Sequence, residues 1–219
     1  MEYGYLLQYT PIGQPVQKFN DGREPALASQ TETGLIRAAQ QGDLSAFNRL
    51  VLAHQDSLYG WVISLVRDES LADDITQSTF VTAYEKLATF RGVSLRAWLF
   101  RIARNRSFDV LRYQKRHPSV SLDDNMQDDD ALDLLAVLPA NDPTPEEAYI
   151  QAERTAWLMT LLDKLPAPFR QALELVDIFE MDYLEAASVL GVSLGTLKSR
   201  VARARLKLRE QIALNREML

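Results

Sequence analysis

The sequence predicts an all-α fold: two helical domains joined by an acidic flexible linker, the C-terminal one carrying a helix-turn-helix. Apolar residues recur at intervals of three and four over most of the chain, the period of a helix with one buried face. No segment alternates apolar and polar residues as a half-buried strand does. Between Pro118 and Pro145 the helical period fades into a stretch rich in Asp that also contains Pro139 and Pro143, which has too little apolar surface to pack. The expected organisation is a mobile tail over 1–30, a helical domain over 31–117, the linker over 118–145 and a second helical domain over 146–219.

The tail contains Gly, Pro and Gln without helical period. Helical spacing begins near Thr33 with Leu35, Ile36 and Ala39, and Gly42-Asp43 then breaks and recaps the chain. Phe47, Leu50, Val51, His54, Leu58, Trp61, Val62 and Leu65 form the stripe of a long amphipathic helix. After a turn at Asp68 to Leu71, a third helix places Ile75, Thr79, Phe80, Ala83, Tyr84 and Leu87 together. The fourth follows "FRGVS", with Leu95, Trp98, Leu99, Ile102, Phe108 and Leu111 on one face and most arginines opposite. Beyond the linker, helices resume at about Glu146, stop at "LPAP" and restart at Phe169.

Net charge is −6, yet the charge is segregated. From Arg96 to His117 the bases face one acid, Asp109. From Ser193 to Leu219 a second basic run faces Glu210 and Glu217. From Ser121 to Glu147 every charge is negative. Two basic surfaces separated by an acidic stretch point to a polyanionic partner. With 0 Cys and 2 His, His54 and His117, far apart, no disulfide framework, thiolate chemistry or metal site is expected. No cofactor, metal or small-molecule substrate is implied. The N-terminal residues lack the basic start and apolar core of a secretory leader, and no apolar run is long enough to span a bilayer. A cytoplasmic location is the expectation.

The most informative stretch is "YLEAASVLGVSLGTLKSRVARARLKL". Tyr183 to Leu190 reads as a short helix, with Gly191 supplying the left-handed residue that ends it. Ser193 is placed to cap the next helix. Leu194, Leu197, Val201, Ala204 and Leu208 form its inward stripe, and Ala186, Ala187 and Gly191 permit a close crossing. Thr196, Ser199, Arg200 and Arg203 then face outward near the N-terminal half, the part of a recognition helix that meets base edges. Lys198, Arg205 and Lys207 lie to the sides, where phosphates run. An ordinary helical hairpin with a solvated basic face has part of this pattern but needs neither the cap nor the small crossing residues.

These residues resemble region 4 of the extracytoplasmic-function (group IV) sigma factors of bacterial RNA polymerase, within the sigma-70 family. "LDKLPAPFRQALEL" resembles the helix that opens that domain. "GDLSAFNRLV", "ADDITQSTFVTAYEKLATFRG" and "AWLFRIARNRSFDVLRYQKR" are similar, in order and spacing, to the family's region 2. Ser78 stands where the family often has an acid, and Ala186 where it usually has Ile.

The resemblance implies a protein that binds core RNA polymerase and promoter DNA, its first domain engaging the polymerase and the −10 element and its second reading the −35 element. It assigns Thr196, Lys198, Ser199, Arg200, Arg203 and Lys207 to the −35 element. It assigns Asp73, Asp74, Gln77, Thr79 and Phe80 to the polymerase, although acids at a helix N-terminus also complement its dipole with no partner. Holding unstacked bases calls for positive charge beside aromatic groups. The "FRGVSLRAW" turn with Arg91, Arg96, Arg101, Arg104, Asn105, Arg106 and Arg112 supplies that for the −10 element. Trp98 reads as core, and Asp109 is expected to pair with an arginine one turn away.

The linker spans up to roughly 90 Å at about 3.3 Å per residue. Its Asp123 to Asp133 run is read either as a nucleic-acid mimic inside polymerase channels or as a solvated spacer. An anti-sigma factor is an expected partner, as for many relatives. Two other readings stand beside this one. A helix-turn-helix regulator that does not bind core polymerase as a sigma subunit would need a sensory or dimerising domain in place of the first basic module. A nucleic-acid enzyme would need metal ligands or a nucleophile, for which Asp73-Asp74 and the linker acids are the only material.

Overall fold

The computed structural model describes residues 31–117, except 93, and residues 157–215. The tail over 1–30, the linker over 118–145 and the part of the last domain over 146–156 lie outside the described residues, as do the readings made of them.

Every regular element among the described residues is helical. The first half contains α1 (Glu32–Gln40), α2 (Leu44–Val66), α3 (Glu69–Lys86), a 3-10 turn (Leu87–Thr89) and α4 (Leu95–Arg116). In the second half residues 157–163 are helical (α5), followed by α6 (Ala167–Leu173), a π-helical turn (Glu174–Ile178), α7 (Tyr183–Leu190) and α8 (Leu194–Asn215).

Local sequence sets most of these starts. Thr31, Asp43, Asp68, Ser94 and Asp182 each accept a hydrogen bond from a first-turn amide of α1, α2, α3, α4 and α7. A cap of this kind contributes about 1 kcal/mol by satisfying an amide the helix itself leaves open. In place of a side-chain cap, α6 starts on Pro166, whose fixed φ suits a first turn.

In the first half, α2 packs against α1, α3 and α4, and α3 packs against α4. The core is Phe47, Leu50, Leu58, Trp61, Ile75, Phe80, Leu99 and Phe100 with small residues at the crossings. The seam of α4 is rotated from the expected one. Phe100, Ala103 and Ser107 are buried, whereas Ile102, Phe108 and Leu111 are half-buried. In the second half a smaller cluster joins Leu162, Leu165, Leu173 and Ala204, and α8 packs on α6 and α7.

The two halves share one core. Helix α7 packs on α4, and Phe179, just after the π-helical turn, inserts its ring between Trp61 and Phe100. The centroids lie 5.9 Å and 5.5 Å away, both edge-on, and Trp61 stacks on Phe100 at 6.1 Å. At the rim, Arg67 pairs with Asp163, and Arg170 lies 3.3 Å from the same carboxylate. Inside that rim the Glu174 carboxylate accepts from Ser64 Oγ at 3.2 Å. The sequence reading treats the halves as separate domains and contains none of these contacts.

Glu174 is 4 % exposed, and burial pushes its carboxyl up to about 7 against the opposing pull of Arg170, the Ser64 hydrogen bond and Arg67, with Asp163 adding to the rise. The folded protein therefore keeps this proton up to about pH 7, while a solvated carboxyl releases it near 4.5. The stabilisation is complete below the lower value and is lost as pH rises through the upper one. Urea denaturation between pH 5 and 8 should show this decline, and Glu174→Gln should flatten it. A second outcome concerns the shared core: Phe100→Ala should lower stability by about 3–5 kcal/mol, read from the same denaturation curves.

Candidate nucleic-acid interface

The helix-turn-helix forms as its residues dictate. Gly191 adopts φ 65° at the end of α7, and Val192 N donates to Ala187 O at 3.1 Å, closing the turn. A Cβ placed on Gly191 meets nothing within 4 Å, so the need for glycine is one of backbone conformation, not space. Ser193 Oγ accepts from Thr196 N at 3.2 Å, the expected cap on α8. Leu197, Val201 and Ala204 are buried, with Leu194 and Leu208 half-buried, and Ala186 is fully buried where α7 meets the core.

The outward face of α8 then presents Thr196, Lys198, Ser199, Arg203 and Lys207, all exposed. The two hydroxyls are engaged locally. Ser193 and Thr196 share a hydrogen bond at 2.8 Å, and Ser199 donates to Thr196 O at 2.8 Å. Ser199 thus offers a neighbour its lone pairs. Arg200 is half-buried and close enough to α4 for its charge to act on Arg104.

One cation departs from expectation. Arg205, placed by sequence beside the phosphates, donates Nε to Asp177 Oδ2 at 3.0 Å with a second bond to Oδ1. That bidentate pair raises its pKa and ties α8 to the π-helical turn.

The arginines before and along α4 divide into committed and open groups. Arg91 donates to Ala88 O at 2.8 Å and Phe90 O at 2.9 Å, closing its own turn. Arg96 donates to Phe179 O across the two halves and lies over the Phe100 ring at 5.6 Å. As a −10 contact it is therefore partly covered, and burial pushes its guanidinium down. Arg106 donates to Thr82 Oγ1 at 2.7 Å. Arg112 lies 3.5 Å from Asp109, the expected one-turn pair. Arg101 and Asn105 are exposed.

Arg104 sits over the Phe108 ring at 4.7 Å. Its charge is disfavoured first by burial and then by Arg200. Together Arg104, Asn105, Phe108, Asp109 and Arg112 line an open depression of about 480 Å³. Phe108 is absent from the sequence-derived site. Its signal was the adjacency of an aromatic to arginines at i−4 and i+4, masked by its place in the apolar period. Trp98, half-buried, packs on Phe90 at 4.9 Å, and Phe100 is fully buried, so both belong to the core.

The polymerase-facing set on α3 needs correction. Thr79 is fully buried and Phe80 is 3 % exposed, and the Thr79 hydroxyl donates to Ile75 O at 2.7 Å. Both fall on the stripe that α3 turns toward the core. Asp74 is exposed, with Asp73, Gln77 and Ser78 half-buried. The outward apolar residue is Val81, 45 % exposed. Asp74, Gln77, Ser78 and Val81 repeat at three and four and form one face.

Comparison with known proteins is consistent with this geometry. The sigma-70 region 2 family matches residues 50–117, and the sigma-70 region 4 family matches residues 155–208. The ECF RNA polymerase sigma factor SigE of Mycolicibacterium smegmatis is 33% identical over 79% of this chain, which spans 64% of that relative's length. The RNA polymerase sigma-H factor of Pseudomonas aeruginosa is 33% identical over 82% of this chain and 92% of its own. Among solved structures, the sigma factor RpoE in complex with the anti-sigma factor NepR from Bartonella quintana superposes with TM-score 0.56 and 28% identity. That match covers 77% of this chain and 98% of the other.

The architecture is that of a two-part sigma factor. The chain belongs to the extracytoplasmic-function sigma factors of the sigma-70 family, and it directs promoter-specific transcription by RNA polymerase. That family is not an enzyme class. Among the described residues no helix is long and apolar enough to cross a membrane.

Gly191→Ala forces a side chain into the left-handed region, and thermal unfolding should report a loss of about 1–2 kcal/mol. Ser193→Ala should cost about 1 kcal/mol in the same measurement through loss of the α8 cap.

Proposed function

We propose that residues 31–117 hold core RNA polymerase and engage the −10 element, and that residues 146–219 read the −35 element. The observation that carries this reading is α8. Its capped N-terminal half projects Thr196, Ser199 and Arg203 into solvent, with Lys198 and Lys207 beside them, the arrangement that sets side chains against base edges and phosphates in a major groove. Arg200 joins this set once α4 no longer covers it.

For the −10 element the depression on α4 supplies cations beside an aromatic ring, the chemistry that holds unstacked bases. Arg101, Arg104, Asn105 and Arg112 are its polar contacts and Phe108 its apolar one. Arg91, Arg96 and Arg106 contribute after exchanging a protein acceptor for a phosphate. For the polymerase, Asp73, Asp74 and Gln77 act with Ser78 and Val81. Thr79 and Phe80 support that face from inside.

In this reading the protein works in the cytoplasm, where promoters and polymerase are, and catalyses no reaction itself. An anti-sigma factor is a fitting partner, because RpoE is seen in complex with one.

Transcription with purified core polymerase tests the reading. A sigma factor confers initiation at defined start sites, whereas a regulator of the helix-turn-helix type adds nothing to core enzyme alone. Arg203→Ala should lower −35-dependent initiation roughly tenfold, the loss of one good base contact, with co-elution with core polymerase unchanged. Lys198→Ala should weaken DNA binding across sequences and reduce the salt slope by about one.

A further inference from the structure

The contact between the halves has the make-up of a specific interface. Its centre is aromatic and dry, with Phe179 edge-on to both Trp61 and Phe100. Around it sits a polar ring in which each half supplies both partners and counter-charges. Ser64 and Arg67 come from the first half, and Asp163, Arg170 and Glu174 from the second. Arg170 also approaches Ser64 O at 3.4 Å. A buried aromatic centre with a satisfied polar rim is the anatomy of binding surfaces that hold together.

That contact places the two DNA-reading helices side by side. Helix α4 is packed under α7, and Arg200 of α8 lies within electrostatic reach of Arg104 of α4. The −10 and −35 elements are centred about 25 base pairs apart, or roughly 85 Å of duplex at about 3.4 Å per step. A compact body of the described length is only about 40 Å across. One molecule in this form cannot hold both elements. The form also half-buries Arg96 and Arg200, two of the cations that DNA would need.

We propose that in the free chain the second half docks on the first through the Phe179 contact, that this docked form is closed to the promoter, and that binding to core polymerase separates the halves. The proposal rests on reading α4 and α8 as the promoter-binding helices. The like charges of Arg104 and Arg200 work against docking, as does the buried Glu174 carboxylate once ionised. The closed form is thus held by its aromatic centre against an electrostatic load, a balance that a competing surface can overturn.

The chain has 0 Cys, so a cysteine pair reports on docking cleanly. Arg67 and Asp163 have side chains 45% and 41% exposed, and losing such an ion pair costs only about 0.2–1 kcal/mol. In the Arg67→Cys/Asp163→Cys variant, a short bis-maleimide should bridge the free protein within one molecule, seen as a faster-migrating monomer on a denaturing gel. With core polymerase bound first, bridging should slow at least about tenfold, because separation lowers the effective concentration of the two thiols. Failure to bridge in the free chain overturns docking, and an equal rate on core polymerase overturns the opening step. Co-elution of the unmodified variant with core polymerase is measured on the same sample. Its absence overturns the sigma reading and the opening step with it, while bridging in the free chain still decides docking.

Discussion

The rest of the structure depends on one aromatic contact, the insertion of Phe179 between Trp61 and Phe100. Edge-to-face pairs contribute about 0.5–1.5 kcal/mol each beyond the area they bury, and here two pairs share one ring. Phe179 reaches them because α6 ends in a π-helical turn, closed by Phe179 N donating to Glu174 O at 2.8 Å. Such turns are rare and occur frequently at functional sites. The same turn carries Asp177, whose carboxylate holds Arg205 and so orients α8. The aromatic seat and the orientation of the recognition helix thus follow from the same five residues.

Electrostatics pulls the other way. The chain is acidic in total, yet its two DNA-facing helices bring arginines near one another when the halves meet, and Arg104 bears both burial and the field of Arg200. Arg96 shows the exchange a binding surface makes. Its guanidinium is spent on the Phe179 carbonyl and the Phe100 ring and becomes available to a phosphate only by giving them up. Arg106 and Arg91 are in the same position on a smaller scale, each satisfied within its own half. A protein that reads DNA only when assembled gains from cations already paired in the free form.

Much of the local structure was legible. The Ser193 cap, the left-handed Gly191, the Leu197, Val201 and Ala204 stripe and the Asp109–Arg112 pair all depend on residues within four positions of one another, so their spacing suffices. The errors have a common source. Phe80 and Thr79 were read at once as inner stripe and as partner surface, and a helix face cannot be both; the core took them. Arg205 was read as a phosphate contact because its partner, Asp177, lies twenty-eight positions away. One hint of the domain contact stood in the sequence unread. The C-terminal half of α2, with Trp61, Val62, Ile63, Leu65 and Val66, is apolar on nearly every side, which signals a helix covered from more than one direction.

The sequence by itself determined the helices, their caps, the turn of the helix-turn-helix and the family, because these rest on short-range periodicity and on motifs of contiguous residues. Only the tertiary structure decided which arginines are free and which are already paired, which face of α3 is outward, and that the two halves share a core. Those outcomes turn on contacts between residues some 80 to 110 positions apart, such as Arg96 with Phe179 and Ser64 with Glu174. No local pattern encodes a partner at that range; the packing of Phe179 against Trp61 and Phe100 selects it.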